Sequence, residues 1–230
     1  SLVSMPCPIP DRYFVMAEAG IGGGALEYFL ERLVFASDEF GDHGLGEKFA
    51  ALERAIATVA PGSGGVLFLP WLTGSITPAE DGRVRGGFLN LSLTTTREHL
   101  ARAVLEGVAF NLRWVQERVS RFAKRDISRV KFYGGGALSS AWAQIFADVL
   151  QRPVEQLADP EYAVSRGVAM LGYHQLGELA LDEVKDGVPI AATYEPRADA
   201  SAKYDEMFTQ FVRVCRKYRS VFRALTAGSD

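Results

Sequence analysis

The stretch that decides the fold is VKFYGGGALSSAWAQIFADVL, residues 130–150. An apolar run leads into three consecutive glycines, Gly134, Gly135 and Gly136, and an amphipathic helix follows a few residues later. Glycine has no side chain and adopts positive φ, so the chain can turn sharply and a ligand can approach the backbone closely. The start of a helix also presents unpaired N–H groups that suit a phosphate. The stretch alone predicts either a phosphate-binding turn or a tight strand–helix turn without a ligand.

Composition narrows the class of protein. The 230-residue chain carries 25 Lys and Arg against 28 Asp and Glu, and this balance argues against a nucleic-acid surface. Its two cysteines, Cys7 and Cys215, are far apart, which excludes a thiolate zinc site and a disulfide framework. With no apolar run near 18 residues and no signal-peptide pattern, we expect a cytoplasmic protein without membrane contact. The chain begins without Met, so we expect a processed, tagged or cut polypeptide.

Strand-like and helix-like segments alternate along the chain, which implies an α/β layered fold. Strands are predicted at 2–5, 13–17, 66–69, 88–93, 127–133 and 152–157, and helices at 25–35, 47–59, 97–124, 140–151, 159–177 and 200–225. We expect a central mixed sheet that contains 2–5, 13–17, 127–133 and 154–157. Thr95 and Glu98 predict a capping box at the start of the long helix. In the last helix an aromatic seam predicts a core face, with members Tyr204, Phe208, Phe211, Cys215, Tyr218, Phe222 and Leu225.

A second glycine-rich stretch, AGIGGG at 19–24, offers an alternative fold. Gly20, Gly22 and Ala25 lie near a dinucleotide-binding G-x-G-x-x-G/A pattern, one residue out of register. That fold needs an acidic residue at the end of a second strand about 20 residues on. The acidic residues at 38, 39 and 42 lie in a glycine-broken loop instead, so this hypothesis is the weaker one.

Several polar residues could be mistaken for catalytic groups. Glu106 lies within LEGVAF on the long helix, and a lone helical carboxylate there predicts a structural partner for an arginine or a loop amide. The histidines are scattered without a second ligand four residues on: His43, His99 and His174. We therefore expect no metal held by the protein itself, and we interpret Trp71 and Trp142 as core residues.

The order of these landmarks carries a resemblance to a known family. The landmarks are the glycines at 22–24, the strand ending in LP at 69–70, RGGFLNL at 85–91, RAVLEGVAF at 102–110 and the glycine triplet before W-x-Q. The chain resembles the C-terminal domain of the FGGY carbohydrate kinases over residues 2–183, and within them it is most similar to xylulokinases. The resemblance implies an actin-like, ribonuclease-H-like fold in which ATP binds between two domains.

The resemblance also implies which residues face the nucleotide. Gly134, Gly135 and Gly136 match the loop against its phosphate–ribose end, and Ser139 matches the position beside the adenine. Gly23 and Glu27 match positions on an earlier helix that also face the nucleotide. Mg²⁺ is expected to arrive with ATP.

Departures from the family pattern are equally informative. We expect the N-terminal sugar-binding domain, with its phosphate loop and its catalytic base, and the strand that normally opens the C-terminal domain to lie outside residues 1–230. In the loop LTGSITP, Ser75 and Ile76 stand where the family has an acidic and a basic residue. We expect residues 1–230 to form one nucleotide-binding domain, with 198–225 as its C-terminal helix and no catalytic residue of its own.

Two functions follow from this resemblance. In the first, the chain is the ATP-binding part of a sugar kinase that phosphorylates a ketopentose such as D-xylulose and is inactive alone. Its partners are then ATP or ADP and the sugar, held mainly by the missing domain, with a homodimer as a further option. In the second, it is a non-catalytic actin-like module that binds a nucleotide or a partner.

Overall fold

The computed structural model describes residues 2–38, 41–42, 48–77 and 80–227. Its helices are α1 (Gly23–Phe29), α2 (Lys48–Ala57), α3 (Arg97–Ala123), α4 (Ser140–Leu150), α5 (Ala163–Gln175), α6 (Leu181–Asp186) and α7 (Ala198–Leu225). Its strands are β1 (Leu2–Pro6), β2 (Tyr13–Ala17), β3 (Ser37–Asp38), β4 (Gly41–Asp42), β5 (Leu67–Leu69), β6 (Gly87–Leu89), β7 (Val130–Phe132), β8 (Val154–Leu157) and β9 (Ile190–Tyr194). Glu39, His43 and Glu47, which entered the sequence interpretation, lie outside the described residues.

Helix α3 is the centre around which the other elements pack. Its middle, from Ala101 to Val115, is almost wholly buried, and the helix contacts β5 and α4. Thr96 caps its start, accepting from the third helical residue, while His99 Nδ1 accepts from the Thr96 N–H at 3.3 Å. The predicted capping box of Thr95 and Glu98 was therefore one residue out, because Thr95 accepts from the Ser92 N–H instead.

The mixed sheet predicted from the sequence is present, with three strands. β8 lies in the middle, parallel to β7 and antiparallel to β9. The sequence interpretation missed β9, which alternates only weakly and leaves most of its side chains exposed. Helix α4 covers the sheet with Trp142 and Phe146, whose rings stack at 5.4 Å and contact Phe132 of β7.

The prediction that the first two strands join this sheet was wrong. β1 and β2 form a separate antiparallel hairpin, with Leu2 opposite Ala17 and Pro6 opposite Tyr13. Its apolar side chains are exposed on both faces; Tyr13 is 72% and Met16 53% accessible. The apolar residues of this segment therefore indicate that a strand forms, but not that other elements of the described structure bury it. Among the described residues β2 is the only strand next to β1, so one edge of β1 remains open.

Helix α7 packs its aromatic side chains against α3. The first four members of its predicted seam, Tyr204, Phe208, Phe211 and Cys215, are buried, and the rings of Tyr204, Phe208 and Phe211 pack on Phe110. Beyond Cys215 the contact with the core becomes partial: Phe222 still packs against it, but Tyr218 is 44% and Leu225 73% exposed. The predicted core face is thus continuous as far as Cys215 and interrupted after it.

A glycine within α3 permits the closest packing in the molecule. A Cβ added to Gly107 would lie 2.3 Å from the carbonyl oxygen of Phe68 in β5, which no side chain can tolerate. Glycine costs about 1 kcal/mol relative to alanine in a helix interior, so its presence here needs a packing reason. The reason is the direct contact between the α3 backbone and the β5 backbone.

We expect Gly107→Ala to destabilise the fold by about 1–3 kcal/mol, because α3 and β5 must move apart. Gly172→Ala in α5 is the matched control: a Cβ there meets nothing within 4 Å, so alanine should stabilise the helix slightly. Urea unfolding of both variants measures the two changes. A Gly107→Ala variant as stable as the control would contradict the packing described here.

Candidate functional site

A cavity of about 660 Å³ opens where α1, α2 and the start of α4 come together. This volume lies within the range of pockets that hold small-molecule ligands. Its wall combines open backbone at Gly23 and Gly135, apolar side chains such as Leu138 and Trp142, and a few polar groups. None of the other described cavities is lined by a residue of the two glycine-rich segments at 19–24 and 134–136.

The structure brings together residues that lie far apart in the sequence. Five of the six residues singled out from the sequence line this cavity: Gly23, Glu27, Gly135, Gly136 and Ser139. The sixth, Gly134, immediately precedes them and shapes the turn instead. Its φ of 84° lies in the region that favours glycine, and its N–H donates to the Pro160 carbonyl at 2.9 Å. The Gly134 N–H is therefore already occupied, whatever binds in the cavity.

The glycines of the triplet differ in how much space the structure leaves for a side chain. A Cβ at Gly135 meets no atom within 4 Å, so its backbone faces open space. A Cβ at Gly136 would lie 3.0 Å from the Trp142 ring, so this glycine is required by packing. The chain then forms one 3₁₀ turn, Gly135–Leu138, before α4 begins. The expected strand–turn–helix is present with this additional turn.

Ser139 has two structural tasks at the cavity wall. Its hydroxyl oxygen accepts from the Trp142 N–H at 3.0 Å, which caps α4. The same hydroxyl donates to the Glu53 carboxylate of α2 and so joins the two helices. The sequence interpretation missed Glu53, because nothing in the residues around position 53 indicates which side of α2 packs towards α4.

The charge of the cavity is negative. Its carboxylates are Glu27, Glu53 and Glu161, and no Lys or Arg is among its described lining residues. Carboxylates repel phosphates but accept hydrogen bonds from amines and hydroxyls. A bound nucleotide would thus direct its phosphates towards the glycine backbone and its base or ribose towards Glu53 and Ser139.

Glu106, on the same helix as Gly107, lies outside this cavity and is fully engaged. Only 1% of it is exposed, and its carboxylate accepts from Arg102 Nε at 2.8 Å and from the Gly62 N–H at 3.0 Å. The structural interpretation of this residue is confirmed, including both the arginine and the loop amide. Trp71 and Trp142 are buried as predicted. In the described part of the chain no three His, Cys, Asp or Glu side chains are grouped so that they could hold a metal ion.

Comparison with known proteins assigns the family. The model for the C-terminal domain of the FGGY family of carbohydrate kinases matches residues 3–176. The chain belongs to this family. Its fold is that of the actin-like ATPases, as the resemblance implied. The weaker hypothesis of a dinucleotide-binding fold is thereby wrong.

Relatives and solved structures support the family and leave the sugar open. A xylulose kinase of Staphylococcus epidermidis is 26% identical over 93% of this chain and 41% of its own length, and a gluconokinase of Bacillus subtilis is 29% identical over 90% and 41%. The crystal structure of xylulose kinase from Rhodospirillum rubrum superposes with a TM-score of 0.78 at 29% identity, covering 96% of this chain and 43% of that one. The FGGY chain described here therefore spans about two fifths of these relatives.

The loop between β5 and β6 differs from the family pattern at Ser75 and Ile76, and it has its own anchor. Ser75 and Asp81 exchange backbone hydrogen bonds of 3.1 and 2.8 Å, which closes the loop. The Asp81 carboxylate then contacts Arg223 at 3.0 Å and Arg219 at 3.4 Å on α7. Asp81 thus fastens this loop to the C-terminal helix.

Within the described ranges no helix is long and apolar enough to cross a membrane.

The contacts of the Asp81 carboxylate predict how the stability of the fold changes in acid. Burial favours the neutral form of Asp81, but hydrogen bonds from the Arg83 N–H and from Arg223 outweigh it and lower its pKa below 3.8. A carboxyl whose pKa is lower when folded stabilises the fold above its unfolded pKa and loses that contribution as the pH falls through its folded pKa. We expect the stability difference between the wild type and Asp81→Asn to shrink steadily below about pH 4.

Thermal unfolding between neutral and acid pH measures this difference. Asp126→Asn is the control, since Asp126 pairs with Arg152 on the surface and such pairs contribute little. If Asp81→Asn lost the same stability at every pH, Asp81 would act through packing and not through its charge.

Proposed function

We propose that this chain is the ATP-binding C-terminal domain of a sugar kinase and that ATP binds in the cavity between α1, α2 and α4. The observation that carries the proposal is the convergence of five of the six family-matched residues on one cavity. These residues come from two separate glycine-rich segments, around Gly23 and Gly135, that lie far apart along the chain. Residues 1–230 would then form a single domain, and the sugar-binding domain would belong to a segment outside them.

The binding mode follows from the charges and the open backbone. Phosphoryl transfer depends mainly on positioning and charge stabilisation, and backbone N–H groups serve both without a side chain. The phosphates would lie against Gly135, and the base would lie against Leu138 and Ser139. Trp142 gives this wall its rigidity, because its indole N–H donates to the Leu105 carbonyl at 3.2 Å.

Magnesium would accompany the nucleotide. The glutamates of the cavity are separate side chains and, within the described residues, not part of a metal-binding group. No step is therefore assigned to a metal held by this chain. The contribution of its own residues is to bind the nucleotide, to orient it and to limit its exposure to water.

The substrate is proposed from the relatives. Xylulose kinases and gluconokinases match over similar shares of the chain, so the shared reaction is the transfer of the γ-phosphate of ATP to a hydroxyl of a small sugar or sugar acid. Among these we favour a ketopentose, with D-xylulose first, because xylulose kinases stand among both the relatives and the solved structures. The alternative is a non-catalytic nucleotide-binding module, which has the same cavity but is not joined to a sugar-binding domain.

The nucleotide site is tested with Gly135→Val. Since a side chain at Gly135 meets open space, valine should leave the thermal stability nearly unchanged while it fills the path of the phosphates. We expect ATP affinity to fall at least about tenfold, equivalent to about 1.4 kcal/mol. Isothermal titration calorimetry with ATP and Mg²⁺ measures the loss.

Gly172→Val serves as the control, because Gly172 also faces open space but lies on α5, outside the cavity lining. Unchanged ATP affinity in Gly135→Val, with a folded protein, would count against the proposed site. An equal loss in both variants would indicate a general effect on the fold.

The chain alone should have no sugar kinase activity. Transfer needs a base within hydrogen-bond reach of the sugar hydroxyl and a closed cleft that excludes water. The carboxylate of Glu106 is engaged with Arg102, and that of Asp81 with Arg223. We expect weak ATP binding, worth about 4 kcal/mol at millimolar affinity, without sugar-dependent release of ADP.

The assay incubates the purified chain with ATP, Mg²⁺ and a panel of sugars that includes D-xylulose and gluconate. ADP release without sugar gives the background. Sugar-stimulated turnover would show that the chain supplies its own base, and Glu27, Glu53 and Glu161 in the cavity would then be the residues to replace.

A further inference from the structure

A second concave surface lies at the other end of the long helices. The groove between the C-terminal half of α3 and the middle of α7 has a volume of about 500 Å³. Its floor contains Trp114 and Phe208, and its rim carries five cations against one anion, Glu117. The five cations, which we call the basic rim, are Arg118, Arg121, Arg213, Arg216 and Lys217.

The basic rim gathers five cations without a described partner in one groove, whereas other such cations, for example Arg12, Arg32 and Lys131, lie outside it. Arg102, Arg113, Arg152 and Arg197 each pair with a carboxylate within 3.0 Å. In contrast, no described residue forms a hydrogen bond or an ion pair with any side chain of the basic rim. A chain with a net charge of −3 has carboxylates available, yet this groove concentrates positive charge that is not compensated.

The helix dipole does not account for this concentration. Cations are favoured near the C-terminus of a helix, but the effect is limited to the last turn. Only Arg121 lies in the last turn of α3, and Arg213, Arg216 and Lys217 lie in the interior of α7, which continues to Leu225. All three lie on an exposed flank of α7, beside the buried seam of Tyr204, Phe208 and Phe211.

The floor keeps the groove in shape. Trp114 contacts the ring of Phe211, and Phe208 packs on Phe110. At one end Arg113 lies over the Phe208 ring, 4.4 Å from its centroid, and is neutralised by Asp205 at 2.6 Å. The free positive charge therefore begins beyond Asp205 and extends towards the ends of the helices.

We propose that this groove binds a small molecule with two or more phosphate groups. Four of its five cations are arginines, whose forked guanidinium groups match phosphate oxygens in pairs. The α3 wall of the groove extends over eight residues from Trp114 to Arg121, or about 10 Å along the helix, which suits a short polyphosphate.

The groove is separate from the site of the proposed function. It shares no lining residue with the cavity around Gly135, and its α7 wall lies beyond residues 3–176, which match the family model. The proposal therefore does not depend on ATP binding in that cavity. It adds a binding site for an anion on the opposite side of α3.

The test uses inorganic tripolyphosphate without Mg²⁺ and the double variant Arg213→Gln/Arg216→Gln. Calorimetry should show tripolyphosphate binding to the wild type, weakened by added NaCl as expected for a charge-based site. The double variant should lose about tenfold in affinity for each guanidinium removed. Its affinity for ATP with Mg²⁺ and its thermal stability should be those of the wild type.

The control is Arg12→Gln/Arg32→Gln, which removes the same charge from exposed positions outside the groove. An equal loss in the control would overturn the proposal, since binding would then follow net charge alone. The absence of tripolyphosphate binding to the wild type would also overturn it. A hexaglutamate peptide or a deoxythymidine hexanucleotide that binds more tightly than tripolyphosphate would instead assign the groove to a macromolecule.

Discussion

The buried carboxylate of Glu106 holds together the segments on which both concave surfaces depend. Its oxygens accept from four donors: Arg102 Nε, the Gly62 N–H, the Ser63 hydroxyl and the Tyr204 hydroxyl, at 2.7–3.0 Å. These donors belong to α3, to the turn before β5 and to α7. A buried ion pair is costly to desolvate and becomes acceptable only when its remaining hydrogen-bonding groups are satisfied. Here one carboxylate meets that condition through three separate parts of the chain.

The protonation states of this network reinforce each other. Burial and the neighbouring Glu106 charge both raise the pKa of Tyr204, so its hydroxyl keeps its proton and continues to donate. Burial would lower the pKa of Arg102, but Tyr204 and Glu106 outweigh it and the pKa is raised. Arg102 also donates to the Ile56 carbonyl at 3.1 Å, which adds the end of α2. The position of α2, with Glu53 on it, and the position of α7 are thus coupled through one charge.

The sequence was sufficient for what depends on local pattern and insufficient for what depends on tertiary packing. Periodicity predicted α3 and α4, and Glu106 was correctly interpreted as structural because it is a lone carboxylate within a helix. The open hairpin β1–β2 was misplaced, since alternating apolar residues show that a strand forms but not which strand it pairs with. Glu53 was missed for a similar reason: its contact with Ser139 joins residues 86 positions apart.

The two concave surfaces have opposite charge, and this decides which anion each one suits. The cavity beside Gly135 has three glutamates and no cation among its described lining residues, so a bare polyphosphate is repelled there. A nucleotide enters such a site only if its phosphates are partly neutralised by a metal ion and its uncharged base faces the carboxylates. The groove beside Arg213 carries uncompensated cations and favours the bare anion. Coulomb interactions weaken only as the inverse of distance before salt screens them. The two surfaces therefore differ in the sign of their field before any contact forms, as the two proposed sites require.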